Sequence, residues 1–335
     1  MVSRAIAENP SLSFDVTNRG NTVAIVSNGT AVLGLGNIGP EAALPVMEGK
    51  AVILKDRAGV DGIPLCIASK SVEEVVAFCR AIAPSVGAIM IEDIRAPECF
   101  AIESSLQDLP IPVVHDDQHG TAIVVLAGLT NALKVVGKSL SEVRIVLNGC
   151  GAAGTAIGHL LRAAGCRHLT VCDSKGIIST KRPALELHKQ PFAVERGGSL
   201  ADALEGADVF VGVSVANVLT AAMVRRMSET PIVFAMANPD PELAPEQASK
   251  IDIAVYATGR SDLPNQVNNA LVFPGLFLGM LRSRVSQLTV KVQRAVAASL
   301  AALQAKPTST RILPDLFDRR VVSDVAEAVA DSRER

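Results

Sequence analysis

The sequence predicts an α/β protein of two domains, each built on a parallel sheet. Three observations predict it. The chain has 335 residues, 49% of them hydrophobic, which is long for one core and apolar enough for two. Short runs that are apolar throughout alternate with longer stretches of helical period, as parallel strands buried on both faces do. One such run leads directly into a glycine-rich turn and then a helix.

Taken in order, strand-like runs fall at 23–26, 51–54, 63–67, 88–91 and 111–114. A second series follows at 143–147, 168–172, 208–213, 232–237 and 253–257. Helical patterns lie between them at 72–83, 121–136, 155–164 and 245–250, the last opened by Pro245, which suits a first helical position. Gly137-Lys138 after the pattern at 121–136 is a helix stop. Segments 276–288 and 290–303 read as helices, and 321–329 as a final short one. The expected division is a first domain at 1–136, a second at 137–264, and C-terminal helices at 265–335 that return to the first.

Composition excludes several classes. A net charge of −2 with 20% charged residues gives no basic face for a nucleic-acid backbone. Polar or turn residues interrupt every apolar stretch short of the roughly 18 residues that a membrane span needs. Met1-Val2-Ser3-Arg4 leads into no apolar signal region, so a cytoplasmic protein is expected. The six cysteines form no C-x-x-C pair and read as small buried hydrophobes in a reducing compartment.

The glycine turn carries the first function. After the run at 143–147 come Gly149-Cys150-Gly151-Ala152-Ala153-Gly154 and a helical stretch. In this Rossmann-type order, Gly149 permits the tight turn, Gly151 lets backbone approach a pyrophosphate, and Gly154 lets helix and strand pack closely. The helix start, with Ala152 and Ala153, then offers free N–H groups and a positive dipole end. A second strand, 168–172, ends at Asp173, 19 residues beyond Gly154, near the spacing of about 20 for a ribose-binding carboxylate. Asp173 would repel a 2′-phosphate, which favours NAD, while Lys175 could offset that repulsion and keeps NADP open. Ser214, at the end of the third strand of this domain, lies next to the expected cofactor.

Glu92-Asp93 directly follows the run at 88–91, and Asp116-Asp117 follows 111–114 and His115. In a parallel sheet both ends lie at one edge, where ligands bind. Carboxylate oxygens gathered there suit Mg²⁺ or Mn²⁺. Read alone, they serve equally as helix caps or solvated loop residues.

Several motifs in order go further: Gly34-Leu35-Gly36-Asn37-Ile38-Gly39-Pro40, Glu48-Gly49-Lys50, Ile91-Glu92-Asp93-Ile94, His115-Asp116-Asp117-Gln118-His119-Gly120-Thr121 and Asn265-Gln266-Val267-Asn268-Asn269. With Ala257-Thr258-Gly259-Arg260-Ser261-Asp262 and Phe273-Pro274-Gly275, they make the chain resemble the compact bacterial malic enzymes. The resemblance implies a malic-enzyme-type substrate domain beside the Rossmann-type one, a homodimer or larger assembly, and metal-dependent oxidative decarboxylation of L-malate. It implies Glu92, Asp93 and Asp117 as metal ligands, Lys50 as catalytic lysine and Asp116 as its carboxylate partner. It places Asn238, Asn268 and Asn269 at the substrate, Asn238 also beside the cofactor. Lys50 would accept the malate hydroxyl proton if burial and a nearby cation kept it neutral. Outside the resemblance, Lys50 reads as a surface lysine beginning a strand at 51–54.

The family generally carries an upstream tyrosine, assigned as the acid that protonates the enol. Residues 1–20 contain none, and Tyr256 is the sole tyrosine, expected in the core of the nucleotide domain. Three expectations follow: a start further upstream, another acid such as Lys50 or a water, or an impaired cofactor-binding or regulatory subunit. An oxidoreductase for another 2-hydroxy acid is a further alternative. Cys150 stands near a helix start, which can lower a thiol's pKa, although a tolerated small side chain is the simpler reading.

Overall fold

The computed structural model describes residues 1–333. By its contacts the chain divides into two units, Met1–Gly120 with Ala270–Ser299 and Leu316–Arg335, and Thr121–Asn269 with Leu300–Asp315.

The first unit holds a four-stranded parallel sheet of β1 (Thr22–Ser27), β2 (Asp61–Cys66), β3 (Ala88–Ile91) and β4 (Val113–His115), in the order β2-β1-β3-β4. β1 and β3 are buried along their whole length, which is why their runs carry no polar alternation. The segment 51–54, expected as a strand, is helical instead, inside the helix Pro40–Ala58. A four-residue apolar run fits either element, and here its helical neighbours decide. Ala43, Met47 and Leu54 are buried on that helix, at the spacing of one helical stripe. Gly59 ends it in the left-handed conformation, φ +69°, its N–H reaching Leu54 and Lys55 carbonyls, as a C-terminal glycine does.

The second unit holds a six-stranded sheet of β5 (Arg144–Asn148), β6 (His168–Asp173), β7 (Gly176–Ile177), β8 (Val209–Gly212), β9 (Ile232–Ala235) and β10 (Val255–Thr258), in the order β10-β9-β8-β5-β6-β7. All neighbours are parallel except β7, which runs antiparallel to β6. β5 has β6 on one side and β8 on the other, so the chain reverses its winding there. In open α/β sheets ligands bind outside the strand ends at such a switch point. Val146, Phe210, Val233 and Leu243 belong to its core.

The helix Asp116–Val136 is long and apolar enough to cross a membrane by length and composition, and 67% of its most apolar window is buried within the protein. It starts five residues before the expected 121, so Asp116 and Asp117 form its first turn. The cysteines are all free, and all but Cys66 are buried.

Candidate active site

Sheet register brings the first cluster together. Ile91 of β3 pairs with His115 of β4, so Glu92-Asp93 and Asp116-Asp117 leave the sheet at one edge. Glu92, Asp93 and Asp117 each offer a carboxylate oxygen, and these atoms lie within 4.8 Å of one another. Asp93 adopts a left-handed backbone, φ +52°, which Asp tolerates better than most side chains. In that pose its N–H donates to Asp117 Oδ2 at 2.9 Å, and its carbonyl accepts from the Ala31 N–H at 2.9 Å.

Lys50 enters from the helix Pro40–Ala58, three residues after Met47 and four before Leu54, on the stripe that faces inward. Its Nζ lies 2.5 Å from Asp116 Oδ2 and 3.1 Å from Glu92 Oε1, and 4.5 Å from the ring centre of Phe273. Burial by itself would lower the pKa of this ammonium, but Asp116, Glu92 and Asp117 outweigh it and hold Lys50 well above its ordinary value. The lysine is therefore charged beside these carboxylates, and the neutral base that the sequence leads one to expect is conditional on a nearby cation. Glu92 and Asp93 are pushed up, chiefly by burial and then by neighbouring carboxylates, with Lys50 opposing. Four carboxyl groups thus share one ammonium, and among the described residues Asp93 Oδ2 and Asp116 Oδ1 are buried without a hydrogen-bond partner. A donor set of oxygens with unanswered negative charge fits a hard divalent cation.

Glu103 braces the same turn from behind. Oε1 accepts from the His115 backbone N–H at 3.2 Å and meets His119 Nε2 at 2.8 Å, while Oε2 accepts from Gln118 Nε2 at 3.0 Å. These bonds fix the end of β4 and the start of the helix that carries Asp116 and Asp117. His115 and His119 supply no atoms to the carboxylate group.

The second unit carries the dinucleotide turn. Gly149 has φ +111°, and a side chain there would strike the Val213 carbonyl at 2.5 Å. A side chain at Gly154 would collide with the carbonyl of Gly149. Gly151 is exposed and caps the helix Ala152–Ala163, so its side of the turn is open to a phosphate. Asp173 ends β6 as expected, but it is already engaged. Arg182 Nη1 lies 2.7 Å and Lys189 Nζ 3.3 Å from its two oxygens, and the Lys175 backbone N–H donates to it at 2.9 Å. Lys175, expected to offset its charge, contributes through that N–H. Ser214 Oγ accepts from Asn148 Nδ2 at 2.8 Å. Asn238, Asn268 and Asn269 belong to this unit, and Asn238 Nδ2 lies against Gly259.

Two side chains resolve differently from the chemistry open to them. Burial pushes the Cys150 thiol up, so it is not an activated thiolate. Tyr256 donates its hydroxyl to the Leu243 carbonyl at 2.6 Å, a structural bond within the second unit. Sequence reasoning did not find Phe273, Glu103, Arg182 or Lys189 as participants. Phe273 stood inside a quoted motif, whereas the other three carry no spacing signal.

The whole chain matches known proteins. A family profile described as "Malic enzyme, N-terminal domain" matches residues 11–107, and one described as "Malic enzyme, NAD binding domain" matches residues 118–333. The bifunctional malic/malolactic enzyme of Bacillus subtilis is 50% identical over 326 residues, covering 95% of this chain and 80% of that protein. The NAD-dependent malic enzyme of Geobacillus stearothermophilus is 47% identical, covering 100% of this chain and 71% of that protein. The crystal structure of the NAD-dependent malic enzyme of Thermotoga maritima superposes with a TM-score of 0.95 at 44% identity, over 98% of this chain and 89% of that one.

Proposed function

The chain belongs to the malic enzyme family, and from that premise we propose that it converts L-malate to pyruvate and CO₂ with reduction of NAD or NADP. The observation that supports this reading most directly is the gathering of Glu92, Asp93 and Asp117 beside the buried Lys50–Asp116 pair.

Glu92, Asp93 and Asp117 would hold Mg²⁺ or Mn²⁺. Bound there, the ion supplies positive charge that acidifies the malate hydroxyl and stabilises the enolate left when CO₂ departs. Lys50 handles the proton. Asp116 fixes its Nζ at 2.5 Å, and Phe273 walls it on another side. A divalent cation held by Glu92, Asp93 and Asp117 would offset the charge of Glu92 and Asp117, two of the groups that hold the Lys50 pKa up. Burial would then be opposed by Asp116 alone, which favours release of the ammonium proton and lets the amine accept the hydroxyl proton. As an ammonium it is then an acid available to C3 of the enol.

In the second unit, the turn Gly149–Gly154 and the helix N-terminus at Ala152-Ala153 hold the pyrophosphate, and Asp173 takes the ribose. Ser214 and Asn238 would border the cofactor, which would supply a hydride acceptor for C2, and Asn238, Asn268 and Asn269 would contact the substrate. The assembly is a homodimer or larger, working on a small molecule in the cytoplasm.

A spectrophotometric assay with L-malate, Mn²⁺ and NAD, then NADP, tests the reading. Metal-dependent appearance of reduced cofactor is expected. No reduction with either cofactor in metal-loaded protein overturns it.

A further inference from the structure

Resting on the reading that the second unit binds the dinucleotide, we propose that Glu242 is the positioning residue for that site, tying two loops of the cofactor face to one carboxylate and, through Ser214, a third. Glu242 is 0% exposed. Its Oε1 accepts from the Ser214 N–H at 2.9 Å and lies 3.4 Å from the Ser214 hydroxyl. Its Oε2 accepts from the Ala237 N–H at 2.9 Å. Ser214 Oγ in turn accepts from Asn148 Nδ2 at 2.8 Å.

These partners stand at the ends of three neighbouring strands. Asn148 is the last residue of β5, Ser214 follows β8, and Ala237 follows β9. The next residues in each case are those assigned to the cofactor: Gly149 after Asn148, Ser214 itself, and Asn238 after Ala237. Two independent bonds hold the brace. The Leu219 N–H donates to the Glu242 carbonyl at 2.9 Å, and Tyr256 holds the Leu243 carbonyl at 2.6 Å. Gly212 makes the room, since a side chain there would collide with the Glu242 carboxyl group.

The donors to this carboxylate are two backbone N–H groups and a hydroxyl, with no lysine, arginine or histidine side chain bonded to it among the described residues. A buried carboxylate that lacks a cation is a poor source of stability. Its geometric effect is specific: two loops share one rigid planar group, and Ser214 links a third. The Ser214 hydroxyl oxygen is held by Asn148 Nδ2 at 2.8 Å and its backbone N–H by Glu242 at 2.9 Å, so Ser214 serves the cofactor through the placement of its loop.

Glu242→Gln in the full chain tests the brace. The amide keeps the shape but presents an NH₂ to one of two N–H donors, so one tie fails. NADH affinity by fluorescence and KM for NAD should each weaken about tenfold, the worth of one charged hydrogen bond. KM for malate and Mn²⁺ affinity should stay within about twofold. Amide hydrogen exchange at Ser214 and Ala237 should quicken. NADH affinity within twofold of the parent overturns the proposal, as does a parallel rise in KM for malate, which marks a merely structural role. If the variant does not fold, exchange in the parent decides: slow amides at Ser214 and Ala237 support the brace, and rapid exchange overturns it. If the parent itself binds no NADH, the functional reading fails, while the exchange measurement still judges the tie.

Discussion

Lys50 Nζ lies 2.5 Å from Asp116 Oδ2, and the two residues come from different helices, Pro40–Ala58 and Asp116–Val136. Neither helix alone creates the pair. The register Ile91↔His115 sets one member, and the inward stripe of the first helix sets the other. The pair is buried, with Lys50 14% and Asp116 0% exposed, so its geometry is held by packing and not by solvent.

Replacing Lys50 with Ala should therefore lower kcat by about 10² to 10⁴, the usual range for a lost acid–base group. Lys50→Arg should not restore it, because a guanidinium stays protonated. Mn²⁺ should bind either as tightly as in the parent or more tightly in Lys50→Ala, since a cation has left the carboxylate cluster. Steady-state rates with Mn²⁺ titration by electron paramagnetic resonance check both. A loss of less than tenfold removes Lys50 from the proton pathway.

Asp93→Asn and Asp117→Asn should each weaken Mn²⁺ binding by about 10- to 100-fold or more. NADH binding measured without metal should be unchanged, because the dinucleotide turn lies in the other unit. Chelation should abolish turnover of the parent, and added Mn²⁺ should restore it. Unaltered Mn²⁺ affinity in both variants would place the ion elsewhere.

Much of this arrangement is legible in the sequence, for a physical reason. Strands buried on both faces read as unbroken apolar runs, so 88–91 coincides with β3. Turn chemistry is equally local, which is why Gly149 and Asp173 are found at their strand ends. The residues around Lys50 are harder. Ala51-Val52-Ile53-Leu54 satisfies strand and helix alike, and only the stripe Ala43, Met47, Lys50, Leu54 shows that the lysine faces inward. β7 has two residues, too few for any period. Glu103 and Glu242 are illegible because their partners lie 12 to 16 and 5 to 28 residues away, and only the folded chain brings them together.

On the proposed function, Asp173 should decide cofactor choice. Its carboxylate is held below the ordinary range: burial would raise it, but hydrogen bonds from Arg182 and the Lys175 N–H outweigh that. A 2′-phosphate placed at this carboxylate would be repelled by it while Arg182 and Lys189 stay paired with Asp173. Asp173→Ala removes the repulsion and frees Arg182 and Lys189 to pair with the phosphate. The ratio of kcat/KM for NADP to that for NAD should rise at least about tenfold, or some 1.4 kcal/mol of discrimination. Arg182→Ala should move the ratio the other way. A ratio unchanged in both variants would show that the ribose sits elsewhere.

The Glu103–His119 pair makes a prediction about pH. Burial would raise Glu103, but His119 outweighs it and the carboxyl is held low. Burial would lower His119, but Glu103 outweighs it and the imidazole is held high. The stability from Glu103 is present above its unfolded pKa of about 4.3 and is lost as pH falls through the lower folded value. That from His119 is present below about 6.5 and is lost as pH rises through the raised folded value. Glu103→Gln should therefore destabilise most between those two limits, on the order of 3 kcal/mol for breaking a buried pair. Urea unfolding of parent and variant at about pH 6 and about pH 9 measures the difference, which should shrink at the higher pH as His119 loses its charge. A gap that is constant with pH assigns the effect to the neutral hydrogen bonds to Gln118 and the His115 backbone and not to the ion pair.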